Sequence, residues 1–431
     1  MSDTFLCHSA ASELGKTRHC KATRWRIGED MEDEDSIGRR IAHYRRRRGM
    51  TQIALAEKAS VSPSLLRKVE IGARDATPVL IAAVAGPLGV DVTTLNGQPY
   101  DVDGPRRDHI HEHVSAVRQA LTYWDLPPEL ETAPRTASAL LSDAVAVAHL
   151  RQADRNIQAL IRVPALLMET TAAVHASNNP TEQETLYDAL ATLLHPTMSI
   201  MHATGYDDLA TIVADRITWV AGLWGNPLAV GLAAHTRTSS MLRHGTYDVG
   251  LRLVERARAV LEQDSADPAA LRMTGSLHLR AAILNARAGN ADGAAAHVTE
   301  ALTIVRHLPQ DTDHLWRNLA FGPTNTGFHD VAAAIELGDG PRALTLAEAL
   351  DVPGDFAPTR AAHHYMDLAR AYMWQGRHDR ALSSLQRARD LAPQQTRHHP
   401  TAREVLRMLV RSHRHANEPL ARFSAWMGHP N

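Results

Sequence analysis

Apolar positions recur every three or four residues along nearly the whole chain, and no stretch alternates at period two for long enough to read as a strand. The pattern therefore predicts helix after helix. It is sharpest between Ser36 and Gly97, where five short helices are expected. Ile37, Ile41 and Tyr44 set the stripe of a first helix over about Ser36–Arg48, with Ser36 as N-cap and Gly49 as the stop. A second helix starts at Thr51–Gln52 and turns Leu55, Ala56 and Ala59 inward. A third follows at once: Ser62 caps it, Pro63 suits its first position, and Leu65, Leu66 and Val69 make its stripe. The tight turn between them is Ala59–Ser60–Val61, with Val61 reaching into the core. Gly86–Pro87 falls within the fourth helix, where a kink is expected.

A sharp turn between a second and third helix is the layout of a helix-turn-helix DNA reader. The segment resembles the lambda-repressor/Cro-type (XRE) family through Arg45, Gly49-Met50-Thr51-Gln52, Leu55-Ala56, Val61-Ser62, Glu70, Gly72 and Leu88-Gly89-Val90. The resemblance implies that Gln52 bonds the DNA backbone and that Arg45 pairs with Glu70 as a structural ion pair. It also implies that the third helix enters the major groove and offers Ser62, Ser64, Arg67 and Lys68 to bases and phosphates. Arg67 suits a bidentate pair with guanine; Lys68 suits phosphate as a point charge. Pro63 stands where many members carry a polar base reader, so that contact is not carried over.

Charge supports a double-stranded DNA partner. Residues 36–100 hold ten Lys/Arg and four Asp/Glu, while the whole chain is at −2. A basic module on an acidic body is the electrostatic footprint of nucleic-acid binding. The rest of the composition mostly excludes. A length of 431 residues implies two or three domains. Forty-two of the 46 basic residues are arginine, the bias of a GC-rich genome. No run of eighteen apolar residues occurs, so no membrane span is expected, and no signal peptide is recognised. The only cysteines, Cys7 and Cys20, lie in a polar leader, which leaves no disulfide framework for the folded body and fits a cytoplasmic, nucleoid-associated protein. Residues 1–35 read as a disordered leader, with Met31 as an alternative start.

Beyond a Pro/Gly/Asp linker at 98–108, a weak repeat appears over 109–431. Residues 243–257, 286–301, 336–350 and 374–388 each join a helix-ending glycine, a short polar turn and a second amphipathic helix. The glycines Gly245, Gly289, Gly338 and Gly376 are spaced 44, 49 and 38 apart, and 203–217 is a degenerate member. Such hairpins cannot bury their own apolar faces and must stack. They resemble tetratricopeptide repeats, best in the last unit, through Ala369, Tyr372, Gly376, Asp379, Ala381, Leu382, Ala388 and Pro393. Helices at about 109–123, 135–150 and 153–176 show no clear repeat, and armadillo- or HEAT-like stacking competes there. The expected fold is all-α: a five-helix lambda-repressor-like domain, then a tetratricopeptide-like solenoid. The combination resembles XRE–repeat regulators of filamentous high-GC bacteria, whose solenoids bind a peptide or small-molecule signal or dimerise.

Polar and aromatic residues gather on the first helices of the repeats: His235 and Arg237; His278, Arg280 and Asn285; Arg317, Asn318, Phe321, Asn325, Phe328 and His329; His363, His364 and Tyr365. Of these, His278, Arg317, Asn318, Phe321, Asn325 and His329 are the candidate ligand pocket, facing the concave side. Asn318, Phe321 and Asn325 share one helical face provided Gly322–Pro323 does not break the helix. His109 and His113 stand at i, i+4, but no third ligand accompanies them, so no metal is assigned. Trp219, Trp224, Trp316 and Trp374 read as core or inter-repeat packing. No phosphate loop, HExxH, GxSxG or CxxC occurs, so no enzyme and no cofactor is expected. The sequence thus points to a dimeric, sequence-specific transcription regulator; the alternative is a protein–protein adaptor whose solenoid docks a partner while the N-terminal module only tethers it to DNA.

Overall fold

The computed structural model describes residues 36–100, 109–127, 129–262, 267–308, 314–316, 319–412 and 418–428; the leader, Cys7, Cys20 and Met31 lie outside them. The N-terminal module is α1 (Ile37–Arg47), α2 (Gln52–Lys58), α3 (Pro63–Glu70), α4 (Pro78–Leu88) and α5 (Val92–Asn96). Hydroxyl N-caps start four of them. Ser36 accepts from Arg39 N, Thr51 from Ala54 N, Ser62 from Leu65 N and Thr77 from Leu80 N. Each satisfies an amide that the helix itself leaves unpaired. Ile41, Leu55, Leu66, Val84, Leu88 and Leu95 are fully buried at their common centre. Helix α4 continues through Gly86 and Pro87 to its left-handed cap at Gly89. Pro87 falls in the last turn, next to the helix's final residue.

Among the described residues, the body consists of helices, their connections and one β-hairpin. A 3-10 turn at His109–His113 leads into α6 (Val114–Ala120), α7 (Ala137–Gln152) and α8 (Asn156–Ala176). Helical pairs then follow: α9 (Pro180–Thr204) with α10 (Asp207–Trp224), α11 (Pro227–His244) with α12 (Tyr247–Leu261), and α13 (Pro268–Arg287) with α14 (Ala291–His307). Beyond a short hairpin come α15 (Pro323–Glu336) with α16 (Gly340–Glu348) and α17 (Pro358–Trp374) with α18 (His378–Leu391). Helices α19 (Pro393–His398), α20 (Pro400–Ser412) and α21 (Glu418–Trp426) end the described chain. The repeat glycines Gly245, Gly289, Gly338 and Gly376 take φ of 75°, 77°, 80° and 68°, the left-handed turn that ends the first helix of each pair.

Two elements differ from the sequence pattern. Residues 314–316 (β1) and 319–321 (β2) pair antiparallel, with Leu315 opposite Ala320. Only three residues long, the strands show too little alternation to be read. Gly322 then breaks the chain before Pro323 opens α15, so Phe321 and Asn325 do not share a helical face. The 109–113 stretch is a 3-10 turn, which puts His109 on Glu112 (2.8 Å) and His111 on the Tyr206 hydroxyl (2.9 Å) instead of aligning His109 with His113.

The solenoid closes on itself. Asp154, in the α7–α8 turn, accepts the amides of Gln394 (2.6 Å) and Gln395 (2.9 Å) at the start of α19. The Gln152 side chain accepts from Thr359 at 3.1 Å. These contacts join positions more than 200 residues apart and turn a spiral into a ring. Helix α8 is long and apolar enough to cross a membrane by composition, but half of that stretch is buried in the body, with Ala159, Leu160 and Val163 fully enclosed.

Candidate functional site

On the N-terminal module, Ser62, Ser64, Arg67 and Lys68 are all exposed on one end and face of α3, while Leu66 and Val69 on the opposite face are buried. Ser62 uses its oxygen to cap α3, which leaves its O–H as a donor. Behind this face, Arg45 forks onto Glu70: Nε to Oε1 at 2.7 Å and Nη2 to Oε2 at 2.8 Å. Its Nη1 also donates to Met50 O at 2.9 Å. The Gln52 amide donates to Glu70 Oε2 at 2.7 Å, so Gln52 spends a donor inside the module. Hydrogen bonding to Glu70 outweighs burial and holds the Arg45 guanidinium above its ordinary pKa. One carboxylate therefore ties together α1, the start of α2 and the end of α3.

A cavity of about 470 Å³ lies inside the ring. Its wall carries Arg151, Arg243, Arg280, Arg287, Arg360 and Arg370, together with His235, His329, His363 and His364. Burial, reinforced by the positive charge of Arg280 and Arg360, pushes His235 well below the ordinary histidine range. The same two causes, burial and Arg360, keep His329 neutral. The His364 pKa falls to about 3, chiefly through burial; its ring stacks on Phe328 at 4.2 Å. Asn325 accepts two bonds from Arg360 (2.8 and 3.1 Å) and donates to Ala320 O at 2.7 Å.

A family model described as a helix-turn-helix domain matches residues 36–96. Residues 36–96 are a helix-turn-helix domain. Over 63 residues the chain is 38% identical to the immunity repressor protein of Bacillus phage phi105, covering 15% of this chain and 44% of that repressor. The chain thus spans less than half the length of this relative. A crystal structure of Bacillus thuringiensis PlcR with the peptide PapR7 and DNA aligns over 88% of this chain and 98% of PlcR, at 10% identity. Its TM-score of 0.23 is too low to assign a shared arrangement.

The helix-turn-helix domain closes one side of the cavity, to which it contributes Ile37, Asp75, Ala76, Ile81, Val92 and Asn96. Its α4 lies against the end of α11, where Ala82 sits over Gly245. Residues 98–100, read from sequence as the start of a linker, are packed instead. Gln98 donates to His398 O at 3.4 Å, and Arg403 lies 4.0 Å from the centre of the Tyr100 ring. Residues 101–108 of that linker lie outside the described residues.

The structure divides the candidate pocket residues. Asn325 and His329 line the cavity. His278 does not: it faces α14, where its Nδ1 meets His297 Nδ1 at 2.9 Å, because it stands on the side of α13 away from Arg280. Phe321 is also corrected. It is 2% exposed and packs its ring against Gly275 and Leu279, filling the gap between β2 and α13. Arg317 and Asn318 lie outside the described residues, as does the Trp316 side chain. Trp374 is not simply packing; it hydrogen-bonds the helix-turn-helix domain. Arg151, which is buried, and Arg360, which is half-buried, also line the cavity; the sequence does not mark them, because periodicity alone does not show which arginines of a helix turn inward.

Proposed function

We propose that the chain is a sequence-specific DNA-binding transcription regulator, acting as a cytoplasmic homodimer, whose ring binds an effector in its cavity. The observation that carries this reading is the placement of the helix-turn-helix domain. Arg67, Lys68, Ser62 and Ser64 point to solvent on α3, and the same domain walls the cavity through α4 and α5. Gln52, Ser62, Ser64 and Lys68 position the phosphate backbone, and Arg67 reads a base. Two copies would read half-sites about 34 Å apart or a multiple of that. An effector acts only if it prefers one placement of the domain over another. A ligand wedged between ring and domain meets that requirement.

Genome-wide footprinting of the tagged chain tests this reading. Peaks sharing a palindrome, lost in Arg67→Ala, are the expected result. Weak, sequence-indifferent binding that survives Arg67→Ala would overturn it in favour of an adaptor.

A further inference from the structure

The charges on the cavity wall narrow the chemistry of its occupant. Six arginines and four carboxylates line it. The carboxylates are engaged. Glu336 lies between Arg287 (3.2 Å) and Arg370 (3.4 Å), and Glu404 pairs with Arg407 at 3.2 Å. Asp75 accepts from Trp374 and sits 4.0 Å from Arg370. Burial pushes Asp367 up to about 7, so at neutral pH it carries only part of a charge.

Arg280 has no such match. Its guanidinium donates to the neutral His235 ring at 3.0 Å, its Nε is buried with no acceptor, and no carboxylate lies within ion-pair distance among the described residues. The charges that bear on it are Arg360 and Arg287; burial first, then their repulsion, lowers its pKa to about 9. Beside it, Arg151 donates to the amide oxygens of Gln395 (2.7 Å) and Asn156 (3.5 Å), with the Asp154 carboxylate also acting on it, and Arg360 donates to that of Asn325. A guanidinium such as that of Arg280, with its Nε buried and only a neutral ring as partner, is unfavourable for folding alone. It becomes favourable when an anion enters, since the guanidinium fork fits carboxylate and phosphate in two-point contact.

We propose that the cavity binds a small organic polyanion, one carrying two or more carboxylate or phosphate groups, with Arg280 as anchor and Arg360 and Arg151 as flanking donors. This rests on the reading of the cavity as an effector site. The volume of about 470 Å³ suits a small molecule. A second anionic group competes with Glu336 for Arg287. The chain Arg287–Glu336–Arg370–Asp75 then carries the change to the helix-turn-helix domain.

The test uses the full chain without DNA, at fixed ionic strength. Citrate serves as the polycarboxylate probe and pyrophosphate as the phosphate probe, with sodium chloride as control. Melting curves and titration calorimetry are expected to show one site per chain with submillimolar affinity for at least one probe; which probe binds distinguishes the two chemistries. Arg280→Met is expected to melt as high as the parent or higher when no anion is added, and to lose at least tenfold in affinity. Should that variant fail to fold, Arg280→Lys is expected to fold and weaken binding severalfold. No response beyond chloride, or a response unchanged in either variant and so owed to the basic N-terminal domain, overturns the proposal. So does a low-melting Arg280→Met that binds as the parent does. Because no DNA is present, these failures leave the regulator reading standing. Loss of sequence-selective DNA binding would overturn that reading and leave the anion result intact.

Discussion

Trp374, at the end of α17, donates its indole N–H to Asp75 Oδ1 at 3.0 Å, across 299 positions of sequence. Arg370, one turn earlier, lies 4.8 Å from the Trp374 ring centre and 4.0 Å from the other oxygen of Asp75. The loop that follows α3 is thereby fastened to a run of ion pairs along the cavity wall.

Trp374→Phe keeps an aromatic ring over Arg370 and removes only the donor. Asp75 is 5% exposed, so losing that bond leaves a buried acceptor short of a partner, at a cost of about 1–3 kcal/mol. The expected outcome is faster amide hydrogen exchange across residues 71–78 of the full chain, with the far side of the ring unaffected. Unchanged protection there would mean that Trp374 does not hold the domain down.

Two neighbours on α3 separate affinity from sequence reading. Lys68→Ala should weaken binding alike on operator and random DNA, and lower the salt slope by about 1. Arg67→Ala should cost about 1–3 kcal/mol on the operator and relax preference at one base position. Fluorescence anisotropy over a salt series measures both. A Lys68 variant with an undiminished slope would remove that residue from the phosphate contacts.

Local signals made the N-terminal domain legible. Ser36, Thr51 and Ser62 each precede a helical stripe, and each caps the helix that follows. The body's glycines marked its hairpins for the same reason, since a left-handed turn needs no tertiary partner to be recognised. Ring closure was invisible, because Asp154 with Gln395 and Trp374 with Asp75 are pairings of distant residues that no periodicity encodes. The cavity fell between these cases. Asn325 and His329 stand one turn apart on α15 and both line it, but on α13 the two-residue step from His278 to Arg280 sends one side chain to α14 and the other inward. Choosing between them required the helix's rotation about its axis, which follows from its packing against α11, α12, α14 and α15.

Gly38 and Gly222 should respond oppositely to alanine. A Cβ at Gly38 would stand 2.0 Å from the Val69 carbonyl oxygen, a backbone atom that cannot swing aside. Gly38→Ala must therefore push α1 off α3, costing about 1–3 kcal/mol or more. At Gly222, exposed inside α10 and not followed by proline, nothing beyond its own helix and chain neighbours lies within 4 Å, so Gly222→Ala should stabilise by roughly 0.5–1 kcal/mol. Denaturant midpoints of the two variants settle the comparison; a neutral Gly38→Ala would contradict the packing of α1 on α3.

The buried histidines give the fold a pH dependence whose sign can be worked out. His235, His329 and His364 titrate far below the 6.5 of an unfolded histidine, with His364 near 3. Below pH 6.5 the unfolded chain takes up protons that the folded chain refuses. Their stabilisation is thus complete above 6.5 and is lost as pH falls toward the folded values, at about 1.4 kcal/mol per pH unit for each group. Asp367 works the other way. Its pKa is raised from 3.8 to about 7, so its contribution is full below 3.8 and lost as pH rises through 7. Between pH 5 and 6.5 three histidines outweigh one aspartate, and stability should rise with pH; above 7 it should level off. Replacing His364 by Gln should flatten the acid slope, and Asp367→Asn should stabilise at pH 8 while changing little at pH 4. Melting temperatures across that range decide the point, and a parent that melts higher at pH 5 than at pH 7 would show that the cavity histidines are charged in the folded chain.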